Sequence, residues 1–308
     1  MRFGNDSDLL LTGEQHDGAA RTSTHSRREF LATVAALGVG ALAPGELWMP
    51  QAPAPASQPR LIDVHHHILP PAYLEAARDR LVAQQQGYMP ARVLAWSPAN
   101  ALAEMDQNGV ATSIVSISPP GIWFGNAQSA RSLARKCNEY AAQLARDYPG
   151  RFGFFACVPL PDTEGSLREI AYALDVLKAE GVGLLTSYGD KWPGDPAYAT
   201  VFQALNRRKA LVYFHPTGPD CCRDLIPNVP VMLTEFPHDT TRAITSLLFS
   251  GSFTRFRDTR FLFSHGGGTL PILADRISQY SAQVKDLADK VPNGVEFELK
   301  RLYYSDPA

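Results

Sequence analysis

From Leu61 onward, short runs rich in β-branched and aromatic residues alternate with longer stretches whose apolar positions recur every three to four residues. The first pattern has the period of a strand and the second that of a helix. Strands are expected at 61–67, 112–118, 152–158, 183–187, 211–215, 260–264 and 302–304. Helices are expected at 98–108, 127–147, 166–180, 196–208, 240–250 and 271–287, each bounded by Gly or Pro. Regular alternation of the two types predicts an α/β fold with a parallel sheet wrapped by helices. Six or seven such units in about 250 residues fit a TIM-type (β/α)8 barrel lacking its last β/α unit. A doubly wound sheet fits less well, and no G-x-G-x-x-G follows the first strand. No internal repeat or second folded domain is visible.

The preceding segment reads differently. Ser26-Arg27-Arg28-Glu29-Phe30-Leu31 leads into a run of small and apolar residues from Ala32 to Ala43, then a Pro/Ala-rich stretch ending at Ala56. This resembles a twin-arginine signal peptide, so residues 1–56 are expected to be leader and linker, with cleavage after Ala56 and a periplasmic or extracellular destination. The apolar run is far shorter than the ~20 residues a spanning helix requires, so no membrane span is expected after cleavage. Residues 57–308 are then the barrel domain.

Charge narrows the partners. Lys plus Arg total 29 against 31 for Asp plus Glu, which leaves nothing to draw the chain to a polyanion, and nucleic acid is excluded as an expected partner. The four cysteines lack C-x-x-C spacing and are expected as packed thiols rather than a disulfide framework.

Candidate chemistry lies in the histidines. Of the eight, His16 and His25 precede the barrel domain, and four of the others sit where predicted strands end. In Asp63-Val64-His65-His66-His67, alternation puts His65 and His67 on one face and His66 on the other. His215 closes Leu211-Val212-Tyr213-Phe214 and is followed by Pro216, which stops a strand. His265 follows Phe261-Leu262-Phe263-Ser264 and precedes Gly266-Gly267-Gly268, glycines that let backbone approach a ligand. In a parallel barrel all strand carboxyl ends meet at one mouth, so these four rings should converge. His66 is expected against the wall or helix layer, and His238 as a cap or rim residue.

The run Ile62-Asp63-Val64-His65-His66-His67-Ile68-Leu69-Pro70 resembles the opening of the aminocarboxymuconate-semialdehyde decarboxylase branch of the amidohydrolase superfamily. Glu104-Met105-Asp106-Gln107-Asn108-Gly109-Val110, Phe214-His215-Pro216, Asp239-Thr240-Thr241-Arg242-Ala243-Ile244 and Ser264-His265-Gly266-Gly267-Gly268 continue the likeness in order. The resemblance implies one divalent ion on His65, His67 and His215, most simply Zn2+ with Mn2+ as the alternative, and His265 as a catalytic side chain. It further implies a small aromatic or unsaturated carboxylic acid as substrate, which loses CO2 without oxidation, and it allows a homodimer. Arg92 is the nearest candidate for the substrate carboxylate, while Trp192, Trp123 and Phe124 are candidate pocket walls. Hydrolysis of a lactone or amide would use the same metal site, so the ligands alone leave lyase and hydrolase both open.

The chain also departs from the family pattern. The Gly-x-Asp-Tyr-Pro element that supplies the family's carboxylate ligand has no counterpart, and Asp306 matches a different position, displaced by one residue. An incomplete barrel with weakened metal affinity, or an inactive remnant, is therefore a third expectation.

Overall fold

The computed structural model describes residues 61–84, 91–222 and 225–305, except the side chains of residues 84, 91 and 92. The leader, the Ala56 boundary and Asp306 lie outside the described residues. Seven parallel strands form one sheet in strict chain order: β1 (Leu61–His67), β2 (Val110–Ser116), β3 (Phe152–Cys157), β4 (Gly181–Leu185), β5 (Leu211–His215), β6 (Arg260–Phe263) and β7 (Tyr303–Tyr304). Side chains from strands that are not neighbours in this order touch. Phe155, Tyr213 and Leu262 pack together with Val64 and Ile114, and the rings of Phe155 and Tyr213 stack at 5.0 Å. Strands that are not neighbours can meet in this way only across the inside of a curl, so the sheet is a barrel open on one side.

The outer face carries the alternate residues. Val182, Leu184, Val212, Phe214, Phe261 and Phe263 pack against the helices, with Phe214 and Phe263 stacked at 4.7 Å. The helix Ala127–Asp147 shows how sequence builds this layer. Asn126 caps it by accepting the Ser129 N–H at 2.9 Å, and Ala130, Leu133, Ala134, Cys137, Ala141 and Leu144 form its buried stripe. Among the described residues no helix is long and apolar enough to cross a membrane.

Three expectations change. A helix at Pro71–Gln84 was not legible, because its buried face is only a narrow stripe of Tyr73, Ala77 and Leu81. The helix expected from residue 240 runs Val231–Phe249 and carries Pro237 inside it, where the Pro237 carbonyl is taken by the Thr241 hydroxyl at 3.0 Å. Cys137 and Cys157 are buried thiols as expected, but Cys221 and Cys222 are bonded to one another in a surface turn with no core around them.

Candidate metal centre

Two sequence devices bring the histidines together. β1 pairs with β2, and the alternation of β1 turns His65 and His67 into the curl, while Pro216 ends β5 so that His215, paired with Leu185 of β4, sits at its carboxyl end. His67 Nε2 lies 3.1 Å from His65 Nε2 and 3.0 Å from His215 Nε2, and all three donor atoms lie within 4.8 Å of one another. Ligands held about 2.0–2.1 Å from one zinc-type ion sit at about this mutual spacing. The tautomer is fixed at one ring. His215 Nδ1 lies 2.7 Å from the Pro216 carbonyl, which can only accept, so Nδ1 carries the hydrogen and Nε2 presents a lone pair.

Electrostatics favour neutral rings. Burial, then the charges His67 and His65 would carry, hold His215 well below the ordinary histidine value. Enclosure by protein and the adjoining His65, His66 and His265 bring His67 to about 3, although part of the residue still faces the open cavity. Neutral imidazoles carry the lone pairs a cation needs, so the residues present fit a metal ion.

His265 joins them. β6 ends in a left-handed run, with φ of 51° at His265 and 60°, 82° and 69° at the three glycines, which brings the His265 ring to 4.9 Å from His65 and 5.8 Å from His215. The glycines do not approach the cavity as expected. A Cβ at Gly267 would meet the Tyr304 ring at 2.7 Å and one at Gly268 the Pro237 carbonyl at 2.1 Å, so they serve close packing instead. All four histidines line one cavity of about 1240 Å³, together with Ser118, Pro119 and Phe236.

The remaining candidates are placed as follows. His66 is engaged in structure: its Nδ1 donates to Asp63 at 3.3 Å and its Nε2 accepts the Trp96 indole N–H at 3.1 Å. Burial works to raise the Asp63 carboxyl, but the bonds from His66 and the His65 N–H outweigh it and hold it below its ordinary value. His238 lies inside the helix Val231–Phe249, with Nδ1 on the Thr234 carbonyl at 2.5 Å. Phe124 lies under the Arg80 guanidinium at 4.4 Å, and the Arg92 side chain lies outside the described residues. Trp192 does not line the histidine cavity. Its indole N–H donates to Asp239 at 2.7 Å.

Asp239 is the residue the sequence did not single out as a centre. Fully buried, it accepts hydrogen bonds from the Thr186 hydroxyl, from Ser187 at 2.9 Å and from Trp192. Thr186 in turn accepts the Thr217 N–H at 3.0 Å, and its own N–H donates to the His215 carbonyl at 3.0 Å. One carboxylate thus ties the end of β4 to the backbone on both sides of Pro216. Burial raises its pKa despite the three donors. The available signal was an acid beside the uncharged helical positions Thr240, Thr241, Ala243 and Ile244.

Comparison with known proteins agrees with this geometry. The chain is 39% identical over 240 residues to decarboxylase yanB of Aspergillus niger, covering 74% of this chain and 64% of that one. It is 39% identical to the 6-methylsalicylic acid decarboxylase of Penicillium expansum, over 70% of this chain and 66% of that one. The chain therefore spans about two thirds of the length of these relatives. Among solved structures, an amidohydrolase II matches with a TM-score of 0.72 and 29% identity, covering 79% of this chain and 77% of that one. Because the amidohydrolase family model also matches residues 62–290, most of its length and all four clustered histidines, this chain belongs to the amidohydrolase family.

Proposed function

We propose that the chain is a metal-dependent, non-oxidative decarboxylase of a small aromatic carboxylic acid. The observation that carries this is the convergence of His65, His67, His215 and His265 in one cavity of a chain 39% identical to a protein named as a 6-methylsalicylic acid decarboxylase. His65, His67 and His215 would hold the ion, Zn2+ by preference for a three-imidazole set and Mn2+ otherwise. When bound, such an ion supplies a positive centre that holds an acidic oxygen of the substrate and offsets charge spreading into the ring.

The rest is done by side chains. The bond from ring to carboxyl breaks, its electron pair stays on the ring carbon, CO2 departs, and the carbon takes a proton. His265, beside His65 and His215, is the group placed to move that proton at a ring nitrogen. Arg92 is assigned to the substrate carboxylate. Trp192 acts on the pocket at one remove, by fixing Asp239. We further propose export by the twin-arginine route, which cell fractionation of a tagged full chain would test.

The function is tested with the purified full chain loaded with Zn2+ or Mn2+, a panel of hydroxybenzoates and lactones, and a direct CO2 measurement. CO2 release from an aromatic acid is expected, with His265→Asn losing about 10²-fold or more while metal content is retained. Loaded protein that opens a lactone and releases no CO2 from any acid would replace this reading with hydrolysis.

A further inference from the structure

A second cavity of about 580 Å³ lies among the turns that follow β2, β3, β4 and β5, within the usual size range for small-molecule sites. It has no lining residue in common with the histidine cavity. Its lining is mixed. Ile122, Trp123 and Leu160 supply apolar walls, the phenol rings of Tyr188 and Tyr198 stand among them, and charged groups come from Asp190, Lys191 and Asp220.

Tyr198 carries a group that the fold itself does not use. The residue is 1% exposed, and its hydroxyl has no hydrogen-bond partner among the described residues. A phenylalanine would fill the same place without leaving a buried polar atom unpaired, so the hydroxyl adds nothing to folding. Burial, then the carboxylates of Asp195 and Asp190, push its pKa up to about 12, so at neutral pH it keeps a hydrogen to donate. Tyr188 stands beside it, ring centroid to ring centroid 6.0 Å. The Tyr188 oxygen accepts the Leu185 N–H at 2.9 Å, but no described residue accepts its hydrogen. Two phenolic donors therefore lie side by side in want of an acceptor. The charges decide what kind. Lys191 is paired with the Asp190 carboxylate at 3.2 Å, and Asp220 adds a second acid to the lining, which leaves no surplus cation to hold an anion.

We propose that this cavity is a binding site of its own for an uncharged small molecule that carries a carbonyl oxygen on an apolar frame, with the Tyr198 hydroxyl donating to that oxygen. The site is separate from the reaction proposed for the histidines, and it would stand if that reaction proved to be hydrolysis.

The test titrates the zinc-loaded full chain by calorimetry with acetophenone and with α-methylstyrene, which has the same shape but a CH2 group in place of the oxygen. Acetophenone should bind about 10-fold or more tightly than the alkene, because only the ketone gives the buried donor a partner. Tyr198→Phe should raise the acetophenone Kd about 10-fold and change the α-methylstyrene Kd by less than about 2-fold. Benzoate, which has the same shape with a charge, should not displace acetophenone. Equal affinity for ketone and alkene overturns the site, as does a Tyr198→Phe chain that keeps the full preference for the ketone, or acetophenone that shows no saturable binding. Displacement by benzoate overturns it too, because the ketone would then sit among the histidines or the cavity would be taking anions. If circular dichroism shows Tyr198→Phe to be unfolded, Tyr188→Phe, which deletes the neighbouring donor, decides by the same criterion.

Discussion

Replacing Asp239 separates the roles of shape and charge in the network behind His215. Asp239→Ala deletes the acceptor of three hydrogen bonds at a fully buried position. The Thr186 and Ser187 hydroxyls can rotate to other acceptors, but the Trp192 N–H can only donate, and a buried unpaired donor costs about 1–3 kcal/mol. Adding the lost bonds to a charged acceptor, and subtracting the relief of removing a buried charge, gives a loss of about 2–4 kcal/mol. Asp239→Asn should differ sharply. Its oxygen still meets Trp192, its NH2 can donate to the Ser187 hydroxyl, and it drops a charge whose burial raises the carboxyl above its ordinary value. A raised carboxyl pKa means the ionised form weakens the fold above that ordinary value, so Asn should cost under about 1 kcal/mol. Urea unfolding at pH 7, followed by circular dichroism, measures both losses. Because Thr186 also holds the His215 carbonyl, Asp239→Ala should weaken zinc binding by about 10-fold, the lower end of what outer partners of metal ligands contribute. Equal losses for Ala and Asn, or a loss under about 1 kcal/mol for Ala, would show that the network does not act as described.

Three further outcomes are expected. Tyr198→Phe should leave stability unchanged or raise it by up to about 1 kcal/mol in the same urea assay, because the buried Tyr198 hydroxyl has no hydrogen-bond partner among the described residues. Zinc at about 100 times its Kd should stabilise the protein by about 2.7 kcal/mol in thermal unfolding, and His215→Ala should abolish that gain. Arg131 holds the Asp162 carboxyl below its ordinary value, so that pair's contribution is complete above the ordinary carboxylate pKa and fades as pH falls through the lowered one. Acid titration of stability below about pH 4 should therefore be steeper for the native chain than for Asp162→Asn.

The strands and the four clustered histidines were readable because each rests on a local rule. Alternation along Asp63-Val64-His65-His66-His67 settled which rings share a face, and Pro216 marked where β5 stops. What escaped depends on partners distant in sequence. Pro237 looked like a helix boundary, yet the helix Val231–Phe249 continues through it, with the Pro237 carbonyl taken by the Thr241 hydroxyl and packed against Gly268. Trp192 looked like a pocket wall until Asp239, 47 residues away, claimed its N–H. The glycines after His265 advertised backbone freedom correctly, but that freedom is used for packing against Tyr304 and Pro237 rather than for ligand contact.

The position of β1 gives the histidine trio a mechanical side. Within the described residues that strand has a neighbour on one side only, β2, and the exposed Leu61 and Ile62 begin it. A cation shared by His67 and His215 would rivet this outermost strand to one 148 residues further on, a long loop of the kind whose closure restricts an unfolded chain most. Chelation should therefore be felt first as faster amide exchange along β1, before any change elsewhere in the sheet.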